Sequence, residues 1–437
     1  MYHGSRRRCI GGWGVSEPAR LWNRNYALLW QGQFVSQLGS QAFFIGMAFW
    51  IKDQTGSATV MGLIMMASQI PAILLSPIAG AFADNHPRKR IIVTCDLING
   101  LLTITLAAVF ILAPEQAGWH IVALFFVTVL VSSVSAFFRP AVSAAIPDIV
   151  PRDRLNAANS FHQGSLQISS LAGLSAGGVL YRVLGAPVLF LVDGISYLAS
   201  AVSESFMKIP HTPPRQPQSG ASAWERLWRD VKAGFLYIWN RAGMRNLLIA
   251  AAGINFFSMP YLVLMPFFVE DTLGGTPDWY GYILASFSAG VLGGYLLAAA
   301  ANISGRVRSA LMVGALLLMT ALFSLMSAAP DVLTALVIMF ATGMASGFFN
   351  INLQTLFQVT TPAHMRGRVF SLLATVAQGL MPVGMAMAGV VADLLDQNIR
   401  LVFAGTGAIT LLLAAAISLS REYRDYLAQD DAVASQG

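Results

Sequence analysis

The sequence predicts an all-α membrane protein with twelve transmembrane helices arranged as two six-helix halves. Of its 437 residues, 56% are hydrophobic and only 11% are charged, whereas an ordinary soluble domain has about 25% charged residues. The apolar residues fall into stretches long enough to span a bilayer, which takes about 20 residues per helix. A polar segment divides these stretches into six and six. The net charge of +6 is spread over short loops, which excludes a nucleic-acid-binding face.

The spans are separated by short breaks rich in Gly, Pro and polar residues. We number them spans 1 to 12, with approximate limits 26–51, 58–83, 91–112, 119–146, 157–184, 187–207, 245–269, 278–303, 309–329, 332–356, 368–395 and 399–420. The predicted domains are a cytoplasmic N-terminal tail (1–25), an N-terminal six-helix half (26–207), a cytoplasmic linker with an amphipathic helix (208–244), a C-terminal six-helix half (245–420) and a cytoplasmic C-terminal tail (421–437).

The linker between the halves carries the predicted amphipathic helix. Its apolar side chains recur at helical spacing opposite a charged face, at Trp224, Leu227, Val231, Phe235 and Ile238. This pattern is typical of a helix that lies on a membrane surface.

The distribution of Lys and Arg predicts the orientation. Of the 27 Lys and Arg residues, all but three lie in the two tails, in the linker and in the loops on the same side of the membrane as the tails and the linker. The exceptions are Lys52, Arg182 and Arg400. By the positive-inside rule both termini are cytoplasmic, and we expect a cell inner membrane protein. Cys9 and Cys95 fall on that same side, so the sequence predicts neither a disulfide nor a metal site, and it predicts no cofactor.

The two halves repeat one another weakly. At an offset of 211 residues, Ala136-Phe-Phe-Arg139 matches Gly347-Phe-Phe-Asn350. At an offset of 218, the loop after span 2 matches the loop after span 8, with Asn302 opposite Asp84. Two related six-helix units indicate a transporter whose substrate path lies between the halves.

The loop after span 2 supplies a family resemblance. Its sequence, Gly80-Ala-Phe-Ala-Asp84-Asn-His-Pro-Arg88-Lys89-Arg90, resembles the signature Gly-x-x-x-Asp-x-x-x-Arg-x-Arg of the major facilitator superfamily. Asn85 and Pro87 depart from the usual Arg and Gly. The resemblance covers about residues 20–420, and segments such as Phe138-Arg-Pro-Ala141 and Arg366-Gly-Arg-Val369 are similar to the branch that contains bacterial siderophore exporters and macrolide efflux proteins.

The resemblance implies a gate in this loop. Gly80 would allow close helix packing, Asp84 would attract a helix N-terminus in the other half, and Arg88 and Arg90 would join a cytoplasmic charge network. Independently of the family, a carboxylate beside a positive helix end stabilises one arrangement of the halves. The alternative is that the basic triplet Arg88-Lys89-Arg90 only fixes the orientation of the loop in the membrane.

Two further charges are expected in the same network. Asp96 and Arg139 lie near the inner ends of spans 3 and 4, where an unpaired charge is costly. We therefore expect them to pair with each other or to join Asp84 and Arg88.

Span 5 contains a run of small residues from Ser169 to Gly178. It resembles the Gly-x-x-x-Gly-Pro-x-x-Gly-Gly pattern of drug/proton antiporters, with Ser169 and Leu174 in place of the first Gly and the Pro. The resemblance implies export by antiport, while ordinary helix packing explains small residues at this spacing equally well.

Polar stripes in otherwise apolar spans predict a substrate cavity. Amides that face lipid are left without hydrogen bonds, so these faces are expected to point inward, toward a water-lined path. The candidate residues are Gln33, Gln37 and Gln41 of span 1, Gln163 and Gln167 of span 5, Asn350 and Gln354 of span 10, and Gln378 of span 11.

Asp193 of span 6 is the candidate for proton coupling. It lies about 9 Å inside the span at 1.5 Å per residue, where burial favours the protonated form and allows proton binding to alternate with substrate binding. The alternative is a structural carboxylate near the outer rim. Glu204, on the same helical face, is expected to be solvated at the cytoplasmic edge.

The chain therefore resembles a secondary transporter that exports an amphipathic organic compound, drug or siderophore-like, by alternating access and proton antiport. The expected partners are that substrate, protons and the lipid bilayer, with the protein working as a monomer. No nucleotide-binding loop and no catalytic constellation are found in the sequence, so neither ATP drive nor an enzyme is predicted. The alternatives left open are a lysophospholipid or lipid flippase on the same fold, and a non-transporting membrane sensor or assembly partner.

Overall fold

The structure is a computed structural model that describes residues 21–209, 232–301, 305–362, 365, 369, 372, 373, 375, 376 and 378–428. It confirms the predicted all-α class, since the described residues are 89% helical and contain no strand. Ten helices are long and apolar enough to cross a membrane, and one shorter apolar helix accompanies them. One of the ten is long enough to form two spans, which brings the number of spans in the described part of the chain to twelve.

The N-terminal half contains spans 1 to 6. Its helices are Arg24–Thr55, Ala58–Asn85, Arg88–Leu112, Ala117–Ile149 and Leu155–Ser205. Spans 5 and 6 share the last of these helices, which is kinked at Gly185. That residue has φ 73° and ψ 171°, a conformation that is open to Gly and closed to side chains with a Cβ. The kink lies within the predicted break between the two spans.

The C-terminal half contains spans 7 to 12. Its helices are Ala242–Val263, Pro277–Ala300, Gly305–Met326, Val332–Thr360, Met381–Leu394 and Ile399–Leu419. Short turns of α-helix, Met265–Phe267, and π-helix, Phe268–Thr272, follow span 7, and a short helix, Arg421–Leu427, follows span 12. The first part of predicted span 11 falls largely outside the described residues.

The helix starts follow from local capping. Asn23, Ser57, Asp331 and Asn398 each accept a hydrogen bond from a backbone N–H three residues further on, at spans 1, 2, 10 and 12. A side-chain oxygen at this position satisfies one of the four N–H groups that a helix leaves unpaired. The breaks between apolar stretches therefore contain the residues that begin the next helix.

The predicted amphipathic helix of the linker is described only in its second part. Residues 232–239 are helical, with Ile238 fully buried and Phe235 and Trp239 exposed. Residues 224–231 lie outside the described residues. The expected position on a membrane surface stays a prediction.

The helix connections define two ends of the bundle. Because the spans alternate in direction, the loops after spans 2, 4, 8 and 10, the linker and both tails share one end, which we call the basic end. The opposite end carries the loops after spans 1, 3, 5, 7, 9 and 11.

The two halves pack directly against each other through glycines near the end opposite the basic end. A Cβ on Gly178 of span 5 would lie 2.8 Å from Asp278 Cα of span 8, and a Cβ on Gly389 of span 11 would meet the carbonyl oxygen of Ala58 in span 2. Small residues let backbones of different helices approach this closely. Gly178 belongs to the run of small residues in span 5, so at least part of that run serves helix packing.

Candidate functional site

An ion-pair cluster joins the halves at the end opposite the basic end. Lys52 Nζ, in the last turn of span 1, lies 2.6 Å from Glu270 Oε2 and 3.0 Å from Asp271 Oδ1, in the π-helical turn after span 7. Burial raises the pKa of the Glu270 carboxyl, and the hydrogen bond and charge of Lys52 oppose this rise. Arg182 Nη1 of span 5 lies 3.1 Å from Asp278 Oδ2 at the start of span 8.

A carboxylate from the C-terminal half caps a helix of the N-terminal half at the same end. Asp393, in the last turn of the Met381–Leu394 helix, accepts hydrogen bonds from Ser57 Oγ at 2.8 Å, Thr59 N at 2.9 Å and Ala58 N at 3.2 Å. Gln397 Nε2 donates to the Gly56 carbonyl at 2.5 Å. The first backbone N–H groups of span 2 therefore find their acceptor in the other half, where the positive end of the helix dipole attracts the negative charge.

We call these contacts together the latch, and the end that carries them the latch end. They consist of Lys52 with Glu270 and Asp271, Arg182 with Asp278, and Asp393 and Gln397 with residues 56–59. These hydrogen bonds and ion pairs join described residues of the two halves. They hold the halves together at the end opposite the basic end.

The predicted gate residues at the basic end are placed differently from one another. Asp84 and Arg90 are exposed, and Asp84 makes no hydrogen bond or ion pair to a described residue. Arg88 pairs with Asp148 and donates to the Ala144 carbonyl at 2.8 Å, both in span 4. A Cβ on Gly80 would meet nothing within 4 Å. The charge network expected around Asp84 is thus absent between described residues in this arrangement of the halves.

The two other charges expected in that network lie apart from it. Asp96 is buried, with 1% of its surface exposed, beside Ser200 and Glu204 of span 6. Arg139 of span 4 is exposed, and its charge acts on Tyr197 of span 6.

The expectation that Glu204 is solvated is wrong. The side chain is fully buried, and its Oε1 accepts a hydrogen bond of 2.9 Å from Gln33 Nε2 of span 1. The reason is that span 1 packs against this face of span 6: a Cβ on Gly32 would lie 3.3 Å from Glu204 Oε1. The chain beyond span 6 is also attached to span 1, where Asn25 and Lys208 exchange two hydrogen bonds of 2.9 Å, and Met207 is fully buried.

Asp193 lies deeper in the same half and is 3% exposed. Its Oδ1 accepts a hydrogen bond of 3.2 Å from Ser40 Oγ of span 1, and that hydroxyl also lies 3.0 Å from the Tyr197 hydroxyl. No Lys or Arg pairs with Asp193 among the described residues. A carboxyl group in this position has hydroxyl partners and no compensating cation.

The amides of the predicted cavity differ in burial. Gln33 is buried against Glu204, Gln37, Gln41 and Gln167 are half-buried, and Gln163, Asn350, Gln354 and Gln378 are exposed. A Cβ on Gly173 would lie 2.6 Å from Gln41 Cβ, so Gln41 contacts span 5. Asn350 lines a cavity in the C-terminal half.

The cavity lies inside the C-terminal half, between spans 7, 8, 9 and 10, and has a volume of about 310 Å³. Its wall is mainly aliphatic and aromatic, with polar groups at Asn255, Ser258, Ser346 and Asn350. Asn255 and Asn350 each donate to a carbonyl one turn earlier in their own helix, at 2.8 and 2.9 Å. An apolar wall with a few amides and hydroxyls is the usual composition of a pocket for an organic ligand.

Sequence reasoning missed Asn255 and Ser258. They lie three residues apart on one face of span 7, the same kind of signal that indicated spans 1, 5, 10 and 11. It also missed the latch, because a charge at a span end does not reveal its partner in a distant span.

The model of a family described as transmembrane secretion effectors matches residues 15–436. The chain belongs to this family of major facilitator superfamily transporters. Macrolide efflux protein A of Streptococcus pyogenes is 25% identical over 410 residues, which cover 92% of this chain and 97% of that protein. The multidrug efflux pump Tap of Mycolicibacterium fortuitum is 26% identical over 370 residues, 81% of this chain and 86% of that protein.

Solved structures share the fold of this transporter family. A crystal structure of a mutant nucleoside transporter NupG matches with a TM-score of 0.69 and 13% identity, covering 91% of this chain and all of that one. A bacterial homologue of the human lysosomal transporter Spinster matches with a TM-score of 0.64 and 15% identity, covering 94% and 98%. The protein is therefore a multi-pass membrane transporter of the major facilitator fold and not an enzyme.

Proposed function

We propose that the protein exports an amphipathic organic compound, drug or siderophore-like, across the inner membrane by alternating access coupled to proton antiport. The observation that carries the proposal is the one-sided connection of the halves: the described polar contacts between them all lie in the latch. A transporter that works by alternating access needs two such arrangements, each closed at one end.

The orientation follows from the charges. The basic end carries all but three of the Lys and Arg residues, so the positive-inside rule assigns it to the cytoplasm. The latch then closes the outer side, and the arrangement described above faces inward.

The cavity and the relatives support the proposed substrate class. An apolar wall with amides at Asn255 and Asn350 suits a compound that has a hydrophobic body and a few hydrogen-bonding groups. The relatives reported above bear the names macrolide efflux protein and multidrug efflux pump. Both names describe efflux.

Two groups of residues are proposed to drive the cycle. The first group is proposed to form the gating and charge network when the basic end closes, and consists of Gly80, Asp84, Arg88, Arg90, Asp96 and Arg139. Asp84, exposed in the latched arrangement, is free to attract a helix end when the basic end closes. Asp193 is proposed to carry the coupled proton, because it is buried beside Ser40 without a cation.

The test is transport by the purified protein in proteoliposomes with an imposed pH gradient. The panel contains macrolides, cationic dyes and ferric-siderophore analogues, and labelled lysophospholipid tests the flippase alternative. We expect gradient-dependent movement of at least one organic compound and none of the lipid. Flux of lipid alone would replace the proposal by a flippase, and the absence of any flux would favour a sensor or assembly partner.

A further inference from the structure

Two carboxylic acids lie side by side in the interior of the N-terminal half. Asp96 of span 3 is 1% exposed and Glu204 of span 6 is 0% exposed, and the two side chains are close enough to interact directly. In the part of the chain that the structure describes, neither pairs with a Lys or Arg. Two ionised carboxylates in such a place would lose their hydration without a compensating positive charge, and they would also repel each other.

The pair has more hydrogen-bond acceptors than donors around it. Gln33 Nε2 donates to one oxygen of Glu204 at 2.9 Å. Both oxygens of Asp96, the second oxygen of Glu204 and the Asn99 side-chain oxygen are buried without a donor at hydrogen-bond distance among the described residues. The Ser200 hydroxyl lies beside both carboxyl groups, but its single hydrogen supplies at most one of these oxygens. The remaining buried acceptors call for a further hydrogen-bond donor.

Close packing leaves little room for water as that donor. A Cβ on Gly32 of span 1 would lie 2.8 Å from Ser200 Oγ and 3.3 Å from Glu204 Oε1. The span 1 backbone therefore rests directly on the polar side of span 6. A proton needs no space of its own, because it occupies a carboxyl oxygen that is already present.

We propose that Asp96 and Glu204 share one proton and form a proton-binding site in addition to Asp193. The proton is bound to one carboxyl group, which donates a hydrogen bond to the other carboxylate, so the pair carries one negative charge instead of two. Two carboxyl groups in contact commonly share a proton in this way. The inference deepens the proposed function, since it rests on proton antiport for its role in the transport cycle.

The ionisable groups around the pair are few. Cys95 lies beside Asp96 in span 3, and Asp193 and Tyr197 lie in span 6, which Lys208 follows with an exposed side chain. From span 1, Gln33, which does not ionise, donates to Glu204. The charge of Asp96 acts on Asp193 and on Cys95. From span 4, Arg139 acts on Tyr197. A proton gained by the pair therefore removes a repulsion at Asp193, so the two sites influence each other.

The chain after span 6 is attached to span 1 on the side of the basic end. Met207 is fully buried, and Asn25 and Lys208 exchange two hydrogen bonds of 2.9 Å. We expect exchange of the proton with water on this side to require spans 1 and 6 to separate.

The experiment is infrared difference spectroscopy of the full-length protein in lipid, titrated in both directions around neutral pH without substrate. We expect a carbonyl band from protonated carboxyl groups in the wild type. In the double variant Asp96→Asn/Glu204→Gln the band should lose the intensity of one carboxyl group. Glu115→Gln, which removes an exposed acid in the loop after span 3, is the matched control and should leave the band unchanged. Thermal unfolding of each variant checks that the fold is retained.

The result that would overturn the proposal is an identical carboxyl band in the wild type and the folded double variant. The titration is run in sodium and in choline salts, because a small cation is the other partner that buried oxygens can take. A band that disappears when sodium replaces choline would assign the pair to sodium instead of a proton. The infrared measurement does not depend on transport. If the protein shows the expected band but no flux, the proposed function is refuted and the proton site is still supported.

Discussion

The cap that Asp393 places on span 2 gives the sharpest test of the latch. In the variant Asp393→Asn the oxygen that accepts from Ser57 Oγ and Thr59 N is kept. The other oxygen, which accepts from Ala58 N in the other half and from Gln397 Nε2 in its own half, is replaced by an amide nitrogen that cannot accept, so one hydrogen bond between the halves is lost. The negative charge at the helix N-terminus is lost as well.

The size of the effect follows from these two losses. Removal of the charge beside a helix N-terminus costs about 1 kcal/mol, and loss of one hydrogen bond to a charged group adds about 1 kcal/mol at a half-buried site. The total of about 2 kcal/mol corresponds to a shift of roughly 30-fold in the equilibrium between latched and unlatched arrangements. We expect the unlatched population to rise by this factor until it saturates.

The assay is a distance measurement between spin labels on the two halves at the latch end. Gln54→Cys and Leu333→Cys supply exposed attachment points, in a background in which Cys9 and Cys95 are replaced by Ser. The control is Asp396→Asn, three residues from Asp393, because the Asp396 side chain makes no hydrogen bond to a described residue. If Asp393→Asn gave the same distance distribution as this control, the latch assignment would be refuted.

Four further outcomes are expected. Lys52→Gln should shift the same spin-label distances in the same direction by about fivefold, because breaking a half-buried ion pair costs about 1 kcal/mol; an unchanged distribution would show that the pair does not hold the halves. Asp193→Asn should abolish transport driven by a pH gradient and keep substrate exchange without a gradient; retained gradient-driven transport would remove Asp193 from coupling. Asp84→Asn should raise maleimide labelling of cysteines at the basic end, and equal labelling would contradict its gating role. Asn350→Leu should weaken substrate binding about tenfold through loss of one hydrogen bond. The control is Asn352→Leu, because Asn352 lies outside the cavity wall. Equal affinities of the two variants would exclude the cavity as the substrate site.

The fold was predictable because its main determinants are local. Length and hydropathy of each apolar stretch, Ser57 and Asp331 at helix starts, and Gly185 at the kink are properties of short segments. In a bilayer such segments form helices, because every backbone N–H and C=O group must find its hydrogen-bond partner within the segment.

The site was predictable only in part, because it depends on contacts between distant segments. The burial of Asp193 follows from its position inside a span, whereas the burial of Glu204 depends on how residues 206–209 fold back on span 1. The partners of Arg88 and Asp393 could not be predicted from the sequence either, because several oppositely charged or polar groups lie at the same depth in the membrane. Counting residues along a helix gives depth in the membrane and leaves the facing neighbour undetermined.

Lys52, Arg182 and Arg400 are the three cations outside the basic end. Lys52 and Arg182 form ion pairs between the halves, and Arg400 Nη1 donates to the Ser327 carbonyl at 2.8 Å within the C-terminal half. In the proposed orientation these three residues lie on the outer side, where a positive charge weakens correct insertion into the membrane. Replacing Lys52 or Arg182 by a neutral residue should therefore improve insertion into the membrane while it loosens the finished transporter. The same variant would then give more inserted protein and a larger unlatched population.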